Sequence, residues 1–592
     1  MEGCGALQWN IKMDKKRTTT AIVAAAVAIA ANASGTTTLR IIGTSDVHGA
    51  FFAQDPSTGK GEKGNLAKVA SMVERLRAEH GRNLILLDNG DILQGKPANY
   101  YYNFVDTLAV NIAARAVNLM GYDAQGVGNH DIETGHGVYD KWAGEVDAPM
   151  LCANAVDAAT GLPYFTPYTI MERDGCKIAI LGLTTPAVPH WLAPQLWSGL
   201  RFEDMLSSAR HWMEEITRKE KPDVTIGLFH SGLDGGISTP SYEENAVADI
   251  AELVPGFDAI FFGHDHTPLA RKVCNAAGDS VLLLNPGAGA ANVCDATITI
   301  SKDGKGNTIK TVEGKLASAE TETPHPGFTA AMEECRGRVA AFISEPIGRI
   351  TRTISTRDSY FGPSAFGDLI HNLQLGITGA DISLSAPLSF NAEIKEGDIT
   401  VGDMFSLYKY ENQLCVMELT GNEILGHLEM SYSLWANTMA SPGDHLLLLS
   451  EDTRADGQRM GFANLAFNFD SAAGIDYEVD ATKPPGQKVS VKRMSSGEPF
   501  LPGKTYKVAL NSYRANGGGE LLTRGAGIPQ DSLQSRITWQ SGRDLRHYLM
   551  EEIRRQGTIS PEANGNWRFV PEEWTRPAAE RDRKLLFGNA RQ

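Results

Sequence analysis

The sequence has few basic residues for its size and few cysteines. It contains 55 lysine and arginine residues against 71 aspartate and glutamate residues, which gives a formal net charge of -16. A charge of this sign opposes general binding to nucleic-acid polymers and to anionic lipid surfaces. The seven cysteines show no C-x-x-C spacing, so neither a zinc knuckle nor a disulfide-dense scaffold is indicated. Any phosphate group must therefore be bound by a local site.

Long apolar runs are also missing. An alanine-rich run at residues 21–31 is well below the roughly 20 residues that a membrane-spanning helix needs. Basic residues 15–17 precede this run and the small-x-small sequence Ala31-Asn32-Ala33 follows it, which predicts a cleaved signal peptide. Because Met13 is an alternative start, we expect residues 1–36 to hold an upstream leader and the signal peptide. The mature protein would be periplasmic or secreted; a short membrane anchor is the alternative.

The length of 592 residues predicts two domains, since a single core stops growing at roughly 250 to 300 residues. Short apolar runs alternate with amphipathic stretches between residues 37 and 320, which predicts an α/β domain whose sheets are flanked by helices. Prolines bracket a helix-compatible connection at 321–346. A mixed α/β domain is predicted for 347–557, and a charged, peripheral tail for 558–592. We expect a monomer.

Three segments of the second domain have readable patterns. SAFGDLIHNLQLG predicts a helix and ADISLSA predicts a strand. LCVMELTG and TYKVALNSY alternate apolar and polar residues, which predicts two strands that pair in a hairpin-like arrangement.

Polar side chains that can bind metals follow five successive apolar runs of the first domain. These clusters are Asp46 with His48, Asp91, Asn129 with His130, His230, and His264 with His266. Alternation along a strand would place Asp46 and His48 on one face. Because the ends of strands in such folds gather ligands into one cleft, the order of these clusters predicts a metal site there.

The same motifs carry a resemblance to a known family. In this order, D-x-H, GD, GNH, H and GHxH resemble the calcineurin-like metallophosphoesterases. ADISLSAP, EGDITVGDMFSLYKYENQLCVMELTG and SYRANGGGE resemble the C-terminal domain of secreted 5'-nucleotidases, especially its variant in bacterial 2',3'-cyclic-nucleotide 2'-phosphodiesterase/3'-nucleotidases. The resemblance covers about residues 39–525. It implies a layered metallophosphoesterase sandwich followed by a nucleotide-binding domain.

The resemblance also implies two divalent metal ions. One would be bound by Asp46, His48, Asp91 and His266, and the other by Asp91, Asn129, His230 and His264, with Asp91 as the bridge. Such a set of imidazole, carboxylate and amide ligands favours manganese, zinc, iron or cobalt over calcium. His130 is not a ligand in this scheme, and it would stabilise the phosphate or protonate the leaving oxygen. Asp131 or Glu133 would orient it.

In the second domain the resemblance implies that Tyr410 and Tyr513 stack on a nucleotide base and that Asn412 binds its edge. Gly517 and Gly518 belong to the same binding loop. Asn391 stands where the 5'-nucleotidase branch carries a phosphate-binding arginine, whose bidentate recognition asparagine cannot reproduce. Arg514 is a candidate replacement for that arginine.

These residues favour an exported phosphoesterase that acts on 2',3'-cyclic nucleotides and 3'-nucleotides. A 5'-nucleotidase or UDP-sugar hydrolase with the same metals is the alternative. A surface protein that binds nucleotides without turnover is a third interpretation. The preferred base, the metal and any cysteine pairing are not readable from the sequence.

Overall fold

The computed structural model describes residues 36–56, 59–302, 308–450 and 461–588. The predicted signal peptide and leader lie almost wholly outside these residues. Among the helices of the described residues, none is both long and apolar enough to cross a membrane.

The first half of the chain contains two six-stranded sheets. The strands of one sheet, in spatial order, are Thr308–Ser318, Asn292–Lys302, Thr37–Thr44, Leu84–Asp88, Ala124–Gly126 and Met150–Leu151. Those of the other are Leu269–Cys274, Ser280–Asn285, Ala259–Phe262, Val224–His230, Cys176–Thr184 and Tyr168–Arg173. The central pairs of both sheets are parallel, so the carboxyl ends of their strands meet at a common edge.

Helices cover the outer faces of both sheets. The inner faces meet in an apolar layer to which both sheets contribute, for example Ile41 and Leu228. The first sheet is covered by Leu66–His80, Ile112–Met120, His136–Glu145 and Pro326–Ile343, and the second by Met205–Lys219 and Val247–Leu253. Strands buried on both faces explain the runs that are apolar throughout, and the predicted layered sandwich is confirmed.

The predicted connection contains the helix Pro326–Ile343. This helix is part of the first core, because Phe328, Met332 and Val339 are buried against the helices of the first sheet. It therefore joins the two halves as a packed element.

The second half is built on a five-stranded sheet. Its strands, in spatial order, are Ser471–Ala473, Ile382–Ser385, Thr505–Asn511, Gln413–Thr420 and Ile537–Asp544. The helices Ala365–Thr378, Gly421–Trp435 and Leu545–Gln556 pack around it. The predicted helix and strand are confirmed. The two strands predicted as a pair are antiparallel neighbours, but residues 421–504 separate them, so they do not form a hairpin.

The expectation that residues 558–592 are peripheral is wrong for the part that the structure describes. Thr558–Ile559 pairs with Pro346–Ile350, and Trp567–Val570 pairs with Ile475–Asp480. Trp567 and Phe569 are buried in the second core, as is one face of the helix Glu572–Phe587. Their spacing of two residues places both rings on one side of a strand.

Candidate metal centre and interdomain cavity

The predicted metal-binding side chains converge at one edge of the two sheets. Asp46 and His48 follow the strand Thr37–Thr44, Asp91 follows Leu84–Asp88, and His230 ends its own strand. The first two do not lie on a strand as alternation predicted. They lie in a loop with φ values of 51° and 47°, so loop geometry and not the pleat brings them together.

Backbone strain is concentrated at this edge. Nine non-glycine residues of the described chain have positive φ, and five of them are Asp46, His48, Asp91, His264 and His266. Residues other than glycine rarely adopt a positive φ, and each residue held in this conformation costs the folded state about 1 to 3 kcal/mol. Such strain is found mainly at functional sites, which supports a functional reason for these loops.

One group of side chains consists of Asp46, His48 and His266, whose ligand atoms all lie within 4.8 Å of one another. The Nε2 atom of His266 is 3.2 Å from Oδ1 of Asp46 and 3.0 Å from Nε2 of His48. Nδ1 of His48 contacts the backbone carbonyl of Gln94 at 3.1 Å, which leaves Nε2 available to a metal.

A second group consists of Asp91, His230 and His264, again with ligand atoms within 4.8 Å. His230 Nε2 lies 3.1 Å from Asp91 Oδ2, while its Nδ1 contacts the carbonyl of Asn89 at 2.8 Å. Asn129 follows the strand Ala124–Gly126 on the same edge and is buried.

The loops that carry these groups are held by buried contacts. Asp131 accepts hydrogen bonds from the backbone N–H groups of Asp91, Ile92 and Leu93 at 2.9 to 3.0 Å, so it fixes the Asp91 loop. Gly128 is required by close approach, because a Cβ there would lie 2.2 Å from Oδ1 of Asp91. The glycine of the GNH motif thus makes room for the carboxylate.

The chemistry of the donor atoms fits divalent cations. Asp91 Oδ2, His230 Nε2 and Asn129 Oδ1 are buried, and none of them satisfies hydrogen-bond geometry with any described residue. Buried polar atoms are normally hydrogen-bonded. Asp91 Oδ2 and His230 Nε2 form only an ion-pair contact of 3.1 Å with each other, so these donors remain available to a cation. Nitrogen and oxygen donors without thiolate suit a catalytic divalent cation.

His130 lies beside the second group, and Glu133 is the carboxylate that orients it. The Nδ1 atom of His130 contacts Oε2 of Glu133, and its backbone N–H donates to Oδ1 of Asp91 at 2.8 Å. Burial lowers the pKa of His130, but the charges of Asp91 and Glu133 outweigh burial and raise it to about 10. Cations at Asp91 would oppose this effect. Asp131 does not orient the ring, because its carboxylate binds the backbone of neighbouring loops.

A cavity of about 880 Å³ extends from the second group into the other half of the molecule. Asn129, His130 and His264 line one end of it. The residues of the second half that line it include Tyr410, Asn412, Tyr513, Gly517, Gly518 and Phe467. The structure therefore brings the predicted phosphate-binding and base-binding residues to one space.

Several lining residues were not predicted from the sequence, among them three that lie next to predicted site residues. Phe467 lies edge-on to Tyr513 with ring centroids 6.2 Å apart. Trp191 and Glu244 lie on the first-domain side, next to His264. Trp191 ends the one-turn helix Val188–Trp191, Phe467 lies in the 3₁₀ turn Ala466–Asn468, and Glu244 lies in a bend. No motif or periodicity distinguishes them.

Two predicted positions do not reach the cavity as expected. Asn391 is exposed and is absent from the cavity wall; its Oδ1 accepts a hydrogen bond from Nε of Arg357. Arg514 is buried and its guanidinium is already paired, with Asp470 at 3.0 Å and with the carbonyl of Phe467 at 2.9 Å. It cannot replace an arginine that binds phosphate, because its donors hold the loops around Tyr513.

Comparison with known proteins agrees with this architecture. Residues 39–268 match the family model of the calcineurin-like phosphoesterases, and residues 339–524 match that of the 5'-nucleotidase C-terminal domain. The fold and the site thus define a metal-dependent phosphoester hydrolase. The chain belongs to the calcineurin-like metallophosphoesterases that carry a 5'-nucleotidase C-terminal domain, a family that uses two divalent metal ions.

Individual relatives are distant but cover most of the chain. The chain is 24% identical to the 2',3'-cyclic-nucleotide 2'-phosphodiesterase/3'-nucleotidase of Yersinia enterocolitica, over 94% of this chain and 92% of that protein. It is 26% identical to the trifunctional nucleotide phosphoesterase protein YfkN of Bacillus subtilis, over 91% of this chain but only 39% of that protein. A solved Staphylococcus aureus structure in complex with alpha-ketoglutarate has a similar fold, with a TM-score of 0.73, 20% identity, and coverage of 90% of this chain and 100% of that one.

Proposed function

We propose that this protein hydrolyses nucleoside 2',3'-cyclic phosphates and 3'-nucleotides to nucleoside and phosphate. The observation that carries the proposal is the shared cavity, in which His130 and His264 lie at one end and Tyr410 and Tyr513 line the other half. A nucleotide has the same arrangement, with a phosphate joined to a flat base through a sugar.

The distribution of charge around the cavity supports the choice of phosphate position. Of the described residues that line it, Arg524 is the only lysine or arginine, and it is paired with Glu520 at 2.7 Å. A 5'-nucleotidase that binds the substrate phosphate through an unpaired arginine would need another basic side chain in this cavity. The relative in Yersinia enterocolitica, whose name gives the cyclic and 3'-phosphate activities, agrees with this choice.

We assign the two groups of side chains to two cations. Asp46, His48 and His266 would bind one cation and His230, His264 and Asn129 the other, with Asp91 between them. When bound, the cations would neutralise the phosphoryl oxygens and lower the pKa of the attacking water. Manganese, zinc, iron and cobalt all suit these ligands.

The remaining steps belong to side chains of the cavity. Glu133 accepts a hydrogen bond from Nδ1 of His130, which leaves Nε2 to donate a proton to the leaving sugar oxygen or to stabilise its charge. Tyr410 and Tyr513 would hold the base and Asn412 its edge, so that the phosphate reaches His130.

A rate panel tests the proposal. We expect the protein, loaded with manganese or zinc, to hydrolyse 2',3'-cyclic AMP and 3'-AMP with higher kcat/KM than 5'-AMP or a UDP-sugar, and to lose all activity with a chelator. A kcat/KM for 5'-AMP at least tenfold above that for the cyclic substrate would establish the 5'-nucleotidase alternative. Absence of turnover with every substrate would favour a binding protein.

The proposed place of action is outside the cytoplasm. Support comes from the basic residues 15–17, the apolar run and the small-x-small sequence that follows it. N-terminal sequencing of the exported protein should find cleavage after Ala33, and retention of residues 15–31 would contradict export by this route.

A further inference from the structure

Two side chains with no assigned role flank His264 on the cavity side. Oε1 of Glu244 lies 3.1 Å from Nε2 of His264. The indole ring of Trp191 lies against the same imidazole, with ring centroids 5.4 Å apart and planes inclined by 37°. Both residues line the cavity.

Glu244 is held in place but is not part of the second metal group. The compact group there consists of Asp91, His230 and His264, and it does not include Glu244. Oε2 of Glu244 accepts a hydrogen bond from the backbone N–H of Ile237 at 2.6 Å, which fixes the orientation of the carboxylate. Its other oxygen, Oε1, contacts His264 at the end of the cavity where the phosphate would bind, and it can accept a further hydrogen bond there.

Trp191 is fixed from the opposite side of the cavity. Its backbone carbonyl accepts a hydrogen bond of 2.7 Å from Nδ2 of Asn516, a buried residue of the loop that also carries Tyr513. The backbone of Trp191 is therefore tied to the segment that carries Tyr513, while its indole contacts His264.

We propose that Glu244 and Trp191 form a sugar subsite that selects ribose. This inference rests on the proposed function, because the sugar of a nucleotide lies between its phosphate and its base. A carboxylate only accepts hydrogen bonds and repels phosphate, so next to the phosphate it favours a neutral hydroxyl donor. An indole offers a flat apolar surface on which the carbon face of a sugar packs. In a 3'-nucleotide the donor to Glu244 is the 2'-hydroxyl.

A comparison of three substrates tests the contact with Glu244. 3'-AMP has the 2'-hydroxyl, 2'-deoxy-3'-AMP lacks it, and in 2',3'-cyclic AMP its oxygen is esterified. We expect the wild-type protein to prefer 3'-AMP over the deoxy substrate by about 10-fold or more in kcat/KM, the effect of one hydrogen bond to a charged acceptor. In Glu244→Ala this preference should fall below threefold, while the cyclic substrate loses less activity than 3'-AMP.

Matched variants separate a sugar contact from other effects. Glu243 is the neighbouring carboxylate; it is absent from the cavity wall and accepts a hydrogen bond from Ser238, so Glu243→Ala should keep the full preference for ribose. Glu244→Gln retains the shape of the side chain with a weaker acceptor, so it should give an intermediate preference for ribose. It serves as the test if Glu244→Ala folds poorly. Trp191→Leu should raise KM for both 3'-nucleotides by a similar factor.

Three results would overturn the inference. The first is an unchanged preference for ribose in Glu244→Ala and Glu244→Gln. The second is loss of one metal equivalent from both variants, measured by elemental analysis, because Glu244 would then be a metal ligand. The third is wild-type protein that uses neither 3'-AMP nor the cyclic substrate; this result also removes the proposed function and is visible before any variant is made.

Discussion

The two walls of the cavity are built in opposite ways. On the first-domain wall, charged side chains are buried in loops with positive φ, as at Asp46 and Asp91. On the second-domain wall, aromatic rings line the space and the buried charges behind them are paired, as Arg514 is with Asp470. The first arrangement combines backbone strain with buried charge, which a bound cation would help to offset, whereas the second is an ordinary packed surface. Changes in the first wall should therefore affect chemistry, and changes in the second should affect affinity.

The electrostatics of the first wall keep its two buried aspartates charged. Burial alone would raise the pKa of Asp46, but its hydrogen bond with His266 and the charge of His230 outweigh burial and lower it to about 2. In Asp91, burial is likewise opposed by His230 and His130, and the pKa falls well below its usual range. Both carboxylates are therefore ionised at neutral pH and available to cations. Metal binding should then stabilise the folded protein, since ligands that bind only the native state raise its stability.

Asp91→Ala should have the largest effect. The side chain lies in the second metal group, is the proposed bridge between the two cations, and accepts the backbone N–H of His130, so its loss should disturb the metal centre and the position of His130. We expect no measurable turnover and loss of at least one metal equivalent, measured by steady-state rates and elemental analysis. Metal should also no longer raise the melting temperature by the amount seen in the wild type.

The control for this variant is Asp140→Ala. Asp140 is an exposed carboxylate that pairs with His136 outside the cavity, so rates and metal content should remain those of the wild type. Near-normal turnover of Asp91→Ala with two metals bound would show that the first wall does not depend on this carboxylate.

His130→Ala should lower kcat by about two to four orders of magnitude, the usual effect of removing a positioned proton donor or charge stabiliser. Metal content should stay at two equivalents, because the ring is outside both metal groups. Glu133→Gln should have a smaller effect on kcat, since the ring keeps a hydrogen-bond partner. Loss of one metal equivalent from His130→Ala would instead make His130 a ligand.

Tyr513→Ala tests the second wall. Removing one stacking surface should raise KM for every nucleotide by roughly 10- to 100-fold, from about 1 to 3 kcal/mol of stacking, with kcat changed much less. A phosphoester without a base, such as bis(p-nitrophenyl) phosphate, should be nearly unaffected and is the internal control. An equal loss with that ester would mean that Tyr513 supports the metal centre.

The position of the metal groups could be predicted from the sequence because apolar runs fix where strands end. Asp91 and His230 follow such runs directly. The positions of Trp191 and Glu244 could not be predicted, since the helix that ends at Trp191 and the strand before Glu244 are too short to give a pattern, and both residues approach His264 only through tertiary packing. The mistaken prediction of a peripheral tail has a different origin: Trp567 and Phe569 alternate like a strand, but the surrounding charges concealed the pattern. Position in a motif also placed Asn391 near phosphate, although its side chain is exposed and absent from the cavity wall.

Asn391→Arg should have the smallest effect, and it tests whether residue 391 belongs to the second wall. An arginine at a position within reach of phosphate would improve the use of 5'-AMP. Asn391, however, is exposed outside the cavity and contacts Arg357, so a second guanidinium there would lose this hydrogen bond and remain in solvent. We expect the free energy of unfolding to change by no more than about 0.5 kcal/mol, as is usual for surface substitutions. The ratio of kcat/KM for 5'-AMP to that for 3'-AMP should stay within about twofold of the wild type. A fivefold gain for 5'-AMP alone would return residue 391 to the substrate site and extend the binding wall beyond Tyr410 and Tyr513.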